Sequence, residues 1–300
     1  MYFRYVSPFL SLAVIAWYYI PMPELPEVET IARTLEPVVR GRVIAEVELL
    51  YRPLLRRGGR KDLDAFRGQR VLGVRRRGKM LLIACEGGRT LVFHLKMTGQ
   101  FLFAGGTEPR DKHTRLVMRF EDGANELVFR DIRKFGFLLC LEGDPMAACG
   151  ELACLGPEPL EVGFAEFAAL IARRKGRIKS LLLDQTVIAG IGNIYADEML
   201  FEARIHPETS ASSLGKKTVE RLCDSMKKIL TLAIAEKGST LQDYRDAEGK
   251  AGNFQFFHKV YDRKGESCVV CGTPVRMKRI GGRSSNFCPQ CQRKKTKRKR

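Results

Sequence analysis

The chain has 300 residues, 45% of them hydrophobic, which is enough for two domains or for two domains with a small appendage. Lys and Arg number 52 against 34 acidic residues, so the net charge is +18. The tail at residues 293–300 holds seven of these cations, and 11 of the 18 excess charges therefore lie elsewhere. This spread excludes the tail as the main source of charge and favours nucleic acid as the partner.

Residues 1–21 differ from the rest of the chain. An apolar run of roughly a dozen residues, SPFLSLAVIAWYYIP, follows Arg4. It is shorter than the stretch of about 20 residues that a transmembrane helix needs. It is similar to the core of a signal peptide with a poor cleavage site. We therefore treat residues 1–21 as an extension that is not part of the folded domains.

Residues 22–150 are predicted to form a β-sandwich or barrel with a leading helix. Apolar residues recur at helical spacing from Glu27 to Val38, Pro26 suits a first turn, and Gly41 ends the helix. Alternating apolar segments follow, and they are RVIAEVEL, TLVFHLKMTGQFLF, LVMRFEDGANELVFRDI and KFGFLLCLEG. The Asp122-Gly123 pair predicts a hairpin turn between two strands.

The pattern changes at LGPEPLEVGF, residues 155–164, which is a linker rich in proline and glycine. Helical runs follow, and they are Ala165–Arg173, Ile178–Asp184, Tyr195–Ala203 and Ser213–Lys237. A glycine-rich turn, AGIGN, precedes the third run. We therefore predict a multidomain α+β protein with a helical domain over residues 151–260.

The cysteines fall into two groups. Five are scattered and are predicted to be small core residues, and they are Cys85, Cys140, Cys149, Cys154 and Cys223. The other four form two CxxC pairs, 16 residues apart, and they are Cys268, Cys271, Cys288 and Cys291. This spacing predicts a closed, structural Zn²⁺ site that rigidifies a β-hairpin within residues 261–292. Because the spacing is that of a metal site and not of a disulfide framework, it indicates a reducing compartment.

The hairpin between the two CxxC pairs is basic. Its cations are Arg276, Lys278, Arg279 and Arg283. A zinc ribbon that binds another protein is the alternative interpretation, but the charge favours contact with phosphate groups.

Five motifs occur in a characteristic order, and they are MPELPEVET, HLKMTGQ, DIRKFGF, GIGNIYADEMLF and the paired CxxC module. Together they resemble the bacterial formamidopyrimidine-DNA glycosylase family, also called 8-oxoguanine DNA glycosylases. The resemblance covers residues 22–292. It implies a bifunctional base-excision repair enzyme that removes 8-oxoguanine and formamidopyrimidines from duplex DNA and then cleaves the abasic site.

The resemblance also implies the organisation of the chain. Residues 151–260 would be a helix–two-turns–helix DNA-binding domain, with a loop over the flipped base around residues 239–257. Residues 261–292 would be a zinc finger with one structural Zn²⁺, and residues 293–300 a basic tail. The expected partner is damaged double-stranded DNA. We expect a cytoplasmic monomer with no small-molecule cofactor and no membrane association.

The family's nucleophile is the amine of an N-terminal proline, and here that position is Pro23. A proline inside a chain is a tertiary amide with no basic lone pair, whereas a terminal proline is a secondary amine. The amine attacks C1′, displaces the base and forms an iminium with the opened sugar. The ordinary pKa of an α-amino group, about 8, leaves a usable neutral fraction. The iminium acidifies the sugar protons and permits β- and then δ-elimination.

Four further residues match catalytic positions of the family. Glu24 would handle sugar and base protons, and Glu27 would be a second carboxylate at the helix N-terminus. The alternative for Glu27 is charge complementarity with the helix dipole. Lys79 matches a proton donor for β-elimination. Arg283 matches a finger arginine that grips phosphate and acts in δ-elimination.

Other residues match positions that hold DNA open around an extruded base. Phe135 would wedge between base steps, Arg133 would bond the orphaned cytosine, and Met97 would fill the gap. The alternatives are core packing for Met97 and Phe135 and a strand-edge salt bridge for Arg133. Ile132 and Lys134 stand where the family motif has proline and arginine.

Further matches concern the DNA backbone. They are His113, Lys175, Lys179 and Asn193, the last at the glycine-rich turn. By contrast, His94 and His206 are predicted to be structural, and His258 is predicted to lie on the surface. Glu29 and Glu36 are predicted to be solvated.

Three alternatives remain open from the sequence. An endonuclease VIII-type glycosylase for oxidised pyrimidines would typically have glycine in place of Leu25. A noncatalytic zinc-ribbon protein that binds nucleic acid would result if Pro23 stays blocked, and a membrane-tethered or exported form would keep the extension. Because the nucleophile needs a free amine, we expect translation to start at Met22, with methionine removal exposing Pro23. Proteolytic processing to Pro23 is the second route.

Overall fold

The computed structural model describes residues 22–105, 110–123, 125–240 and 251–294. The extension 1–21, the outer part of the expected lesion-covering loop and most of the basic tail lie outside these ranges. Within them, no helix has both the length and the apolar character required to cross a membrane.

Strands fill the first half of the chain. They are β1 (Ile44–Leu49), β2 (Leu55–Arg57), β3 (Val71–Arg77), β4 (Met80–Cys85), β5 (Arg89–His94), β6 (Gly99–Ala104), β7 (Thr114–Phe120), β8 (Glu126–Asp131) and β9 (Phe137–Glu142). In the described part of the chain they form a four-stranded sheet in the order β1-β7-β8-β6 and a five-stranded sheet in the order β2-β9-β5-β4-β3.

Helix α1 (Leu25–Val39) and the two sheets share one apolar core. Ile31 and Leu35 on the inner face of α1 are at most 1% exposed. From the sheets, the rings of Phe93 and Phe101 meet edge to face with their centroids 4.9 Å apart. The predicted α+β class, with an N-terminal β-sandwich and a leading helix, is confirmed.

One hairpin turn was predicted from the sequence, and two strands were not. The turn at Asp122-Gly123 joins β7 and β8, which pair antiparallel as expected. Strands β2 and β3 were missed. The first has only three residues, and the second, VLGVRRR, combines Gly73 with three successive arginines, which breaks the alternation that predicts a strand.

Helices make up most of the second half. The helices after α1 are α2 (Arg60–Asp64), α3 (Pro145–Ala148), α4 (Gly150–Ala153), α5 (Phe164–Ala172), α6 (Ile178–Leu182), α7 (Asn193–Glu202) and α8 (Lys216–Ala235). Helix α7 is buried from Asn193 to Phe201, although it includes the acidic residues Asp197 and Glu198. Buried carboxylates need hydrogen-bond donors, and both of these find them in the C-terminal module.

That module contains the hairpin of β10 (Arg276–Ile280) and β11 (Arg283–Phe287). Asp197 Oδ2 accepts the backbone N–H and the side-chain N–H of Asn286 at 2.8 and 3.1 Å. The Glu198 carboxylate accepts three successive backbone N–H groups at 2.8 to 2.9 Å, those of Lys259, Val260 and Tyr261. Helix α7 therefore holds the hairpin and the segment that leads into it.

Lys179 completes this attachment from α6. Its ammonium group lies 2.6 Å from Asp197 Oδ1, and both side chains are 0% exposed. The same group donates to the backbone oxygen of Ser284 at 2.6 Å. The sequence predicted that Lys179 contacts DNA directly, but in this structure its ammonium group is buried and ion-paired and does not face solvent.

Four smaller predictions are wrong. His258 is only 8% exposed, its Nε2 lies 3.1 Å from Ser239 Oγ, and burial lowers its pKa to about 4. Cys154 is exposed and not part of the core. Glu29 is not solvated, because it pairs with Arg33 and Arg76. Glu36 is partly buried and accepts the backbone N–H of Val74.

We expect Asp197→Ala to lower the free energy of unfolding by about 3–5 kcal/mol, because it leaves the buried Lys179 ammonium group without its counter-ion. Urea denaturation measures this loss. The control is Arg40→Ala, which removes an exposed pair with Glu36 (3.3 Å) and should cost about 0.5 kcal/mol or less. Equal losses in the two variants would contradict the importance of the buried pair.

Candidate active site

The start of α7 binds the carboxylate of Glu24. The backbone N–H groups of Ile194 and Tyr195 donate to Glu24 Oε1 and Oε2 at 3.0 and 3.4 Å. Gly192 permits this approach, since a Cβ there would overlap the Glu24 carboxylate. Free N–H groups at a helix N-terminus favour a negative charge. The chain thereby places the residue beside Pro23 at a fixed point.

Burial dominates the electrostatics of Glu24, which is 3% exposed. Desolvation raises its pKa to about 7, the Lys79 ammonium group opposes this, and the nearby Glu27 carboxylate adds to it. Glu24 therefore exchanges a proton close to neutral pH, as a general acid or base must.

Glu27 fixes the backbone around Glu24. Its Oε2 accepts the backbone N–H of Glu24 at 2.9 Å, and its Oε1 accepts the hydroxyl of Tyr195 at 2.5 Å and the backbone N–H of Ser239 at 2.7 Å. Gly238 makes room for this carboxylate, because a Cβ there would lie 2.7 Å from Oε1. A residue that is 2% exposed with three donors does more than complement the helix dipole.

A small cavity of about 70 Å³ lies beside these carboxylates. It is lined by Met22, Glu24, Lys79, Leu183, Gly192, Asn193 and Arg283. Pro23, between two lining residues, is buried. The structure thus gathers Pro23 and Glu24 with Lys79, Asn193 and Arg283, which come from three distant parts of the sequence.

Lys79 lies in the turn between β3 and β4. Burial lowers its pKa, and the carboxylates of Glu24 and Glu27 oppose this shift. Glu158, from the linker, holds the turn: it accepts the N–H of Gly78 at 2.7 Å and a guanidinium N–H of Arg77 at 2.9 Å. The sequence gives no sign of this role for Glu158 beyond its place in the Pro/Gly-rich linker.

Arg283 reaches the cavity from the first position of β11. The next residue, Ser284, is held through both its backbone and its side chain. Lys179 binds its backbone oxygen, and Asn193 Nδ2 donates to its hydroxyl at 3.2 Å. Lys179 and Asn193 therefore set the position of Arg283 in this structure.

The four cysteines of the C-terminal module form a single cluster. Their sulfur atoms all lie within 4.8 Å of one another, with Cys268–Cys291 and Cys271–Cys288 separations of 3.9 and 3.5 Å. Tetrahedral zinc with Zn–S bonds of about 2.3 Å requires sulfur separations of about 3.8 Å. The cluster therefore suits one structural Zn²⁺, as the spacing predicted.

Comparisons with known proteins agree along the chain. Family models match for the formamidopyrimidine-DNA glycosylase N-terminal domain at residues 22–138, the formamidopyrimidine-DNA glycosylase H2TH domain at 155–245, and the zinc finger found in FPG and IleRS at 265–293. A formamidopyrimidine-DNA glycosylase of Solibacter usitatus is 48% identical over 275 residues, covering 91% of this chain and 100% of the relative. The chain belongs to the formamidopyrimidine-DNA glycosylase family.

Solved structures of the family give the same result. A mutant of the Lactococcus lactis FPG, in complex with a Fapy-dG containing DNA, has a TM-score of 0.85 at 35% identity, covering 91% of this chain and 100% of that one. The MutM (FPG) protein of Thermus thermophilus has a TM-score of 0.81 at 42% identity, with 90% and 98% covered.

In this member of the glycosylase family, the three expected DNA-opening residues lie on two loops of the sandwich. Phe135 is 47% exposed, which excludes core packing, and the Arg133 guanidinium carbon lies 4.8 Å from the centre of its ring. Met97, between β5 and β6, is partly buried. His113 is partly exposed and Lys175 exposed, and neither lines the cavity.

The pKa of Glu24 predicts how stability responds to pH. The folded carboxyl group has a pKa of about 7 against an ordinary value of 4.5, so between these values the folded state binds more protons than the unfolded state. Raising the pH from about 5 to 8 should therefore destabilise the wild type by about 3 kcal/mol relative to Glu24→Gln. Urea denaturation across this range measures the difference.

Glu48→Gln is the control for this titration. Hydrogen bonding to Arg119 lowers the pKa of Glu48, so this partly exposed carboxylate stays ionised from pH 5 to 8 and its replacement should leave the slope unchanged. Parallel curves for wild type and Glu24→Gln would show that burial does not perturb Glu24.

Proposed function

We propose that this chain is a DNA base-excision repair glycosylase that removes oxidised purines and then cleaves the abasic site, with the Pro23 amine as nucleophile. The observation that carries the proposal is the convergence of Glu24, Lys79 and Arg283 on one cavity beside Pro23. The relatives' name and the DNA complexes of the related structures support the substrate class.

The reaction would begin at C1′ of the damaged nucleotide. The nitrogen lone pair of Pro23 forms a bond to C1′, and the bond between C1′ and the base breaks. Opening of the sugar ring gives an iminium, with Glu24 supplying or removing protons near neutral pH. Loss of the C2′ proton then expels the 3′ phosphate with its oxygen, and loss of the C4′ proton in a second elimination expels the 5′ phosphate with its oxygen. Water finally hydrolyses the iminium and restores Pro23.

The cations around the cavity suit the backbone of a damaged strand. Lys79 would donate a proton during β-elimination, and its pKa supports this role, because burial lowers it and makes the ammonium group more acidic than usual. The planar guanidinium group of Arg283 would clamp a phosphate before acting in δ-elimination. One chain carries all these groups, which supports a monomer. A zinc site built from reduced cysteines supports a reducing, cytoplasmic setting.

Oxidised pyrimidines are a second candidate substrate class. The wild-type Lactococcus lactis FPG, 36% identical with a TM-score of 0.83, has been solved in complex with an oxidized pyrimidine containing DNA. Leu25 nevertheless favours purines as the main substrates, because endonuclease VIII-type enzymes typically have glycine at this position. In the structure the Leu25 side chain packs against Gly190, where a Cβ would lie 2.7 Å from Leu25 Cδ1.

A chain that begins at Pro23 should form a covalent adduct with DNA containing 8-oxoguanine when borohydride reduces the iminium. Pro23→Gly should trap less, because a primary amine replaces the ring nitrogen. The matched control keeps residues 1–22 attached and should not trap, since its proline nitrogen is an amide. Gel separation of the cross-linked species measures all three, and mass spectrometry of the native protein identifies its first residue.

Equal trapping with residues 1–22 still attached would overturn the assignment of Pro23. Absence of an adduct for the chain that begins at Pro23 would favour the noncatalytic zinc-ribbon interpretation.

A further inference from the structure

The two exposed loops of the sandwich are joined through one buried carboxylate. Asp131, at the end of β8, is 1% exposed. Its Oδ1 accepts the hydroxyl of Thr98 at 2.5 Å, from the loop that carries Met97. Its Oδ2 accepts the backbone N–H of Gly136 at 2.7 Å, which closes the loop that carries Phe135.

Thr98 extends this connection to the middle of the second loop. Its hydroxyl oxygen accepts the backbone N–H of Arg133 at 3.0 Å while its proton goes to Asp131. A hydroxyl both donates and accepts, and such a chain of bonds strengthens each member. Thr98 is only 4% exposed, so water does not replace these bonds readily.

The surroundings leave the two loops little freedom at this point. A Cβ on Gly136 would lie 3.0 Å from Asp131 Oδ2, and a Cβ on Gly99 would lie 2.5 Å from the backbone oxygen of Leu95. Arg115, 5% exposed, donates to the backbone oxygen of Asp131 at 2.8 Å. We call Asp131, Thr98 and the hydrogen bonds between the two loops the anchor. These close contacts hold the anchor firmly on the sheet.

Beyond the anchor, the loops are strained and exposed. Lys96 and Lys134 have φ angles of 53° and 60°, which non-glycine residues seldom adopt unless their surroundings hold them. Ile132 and Phe135 are each 47% exposed. Because Ile132 and Phe135 do not pack against the core, the position of the loop tips depends on the hydrogen bonds at the loop bases.

We propose that Asp131 and Thr98 are positioning residues for base extrusion, and that they join the two loops so that Met97, Arg133 and Phe135 enter the duplex as one rigid wedge. The inference rests on the proposed function. Unstacking a base step costs a few kcal/mol, and a wedge that must first be ordered adds to that cost. Loss of the anchor therefore slows lesion removal from duplex DNA and leaves the chemical groups at the cavity intact.

Thr98→Val tests this directly, because valine keeps the shape but removes the hydroxyl. We expect kcat/KM on duplex DNA with 8-oxoguanine opposite cytosine to fall about tenfold, the effect of one lost buried hydrogen bond. Preference for cytosine over adenine opposite the lesion should also fall, since Arg133 is no longer held. Cleavage of a single-stranded oligonucleotide with an abasic site needs no wedge and should stay within about twofold of wild type.

Thr98→Ser is the matched control, since it restores the hydroxyl and should restore duplex activity and cytosine preference. Asp131→Asn is the second variant. The asparagine amide has only one acceptor oxygen. Its NH₂ group therefore faces either the N–H of Gly136 or the hydroxyl of Thr98, and one of the two hydrogen bonds is lost. Asp131→Asn should therefore resemble Thr98→Val. Urea denaturation of each variant shows whether it is folded.

Two results would overturn the inference. One is wild-type duplex activity in both Thr98→Val and Asp131→Asn. The other is an equal loss on duplex and single-stranded DNA, which would indicate general damage to the fold. Failure of the proposed function looks different. In that case the wild type beginning at Pro23 forms no borohydride adduct on either substrate, or Arg133→Ala and Phe135→Ala keep full duplex activity.

Discussion

The bond between the Glu24 carboxylate and the first N–H groups of α7 organises the rest of the molecule. It joins the second residue of the catalytic motif to a helix that is itself buried on all sides. Helix dipoles stabilise such a charge by roughly 0.3–1 kcal/mol, and by up to about 2 kcal/mol when it is partly buried. Burial outweighs this gain, and the group consequently titrates near neutrality. Position and proton affinity thus have one origin.

The same helix also holds Glu27 and parts of the chain that lie far from Glu24 in the sequence. Tyr195 reaches Glu27, Asp197 reaches the hairpin through Asn286, and Glu198 binds the segment before the zinc site. An acidic residue inside a core is costly unless donors surround it. Here most of the donors come from the hairpin and from the segment that leads into it, so the docking of these parts stabilises α7 and also places Arg283.

The sequence predicted the parts of this arrangement that depend on local pattern. The CxxC spacing, the helical period of α1 and the Asp122-Gly123 turn each follow from rules that act over a few residues. The burial of Lys179 and His258 was not predictable, because it depends on packing between segments far apart in the chain. Asp131 and Glu158 were missed for the same reason. Nothing in their local sequence shows that their carboxylates receive backbone N–H groups from neighbouring loops.

The position of Arg283 at the start of β11 has a consequence for the order of synthesis. On the ribosome Arg283 is made long after Pro23, and α7, to which the neighbours of both residues are bonded, lies between them. The cavity cannot close around a nascent chain, however free its proline amine is. The proposed amine nucleophile is thereby kept without its partner groups until the zinc hairpin has folded.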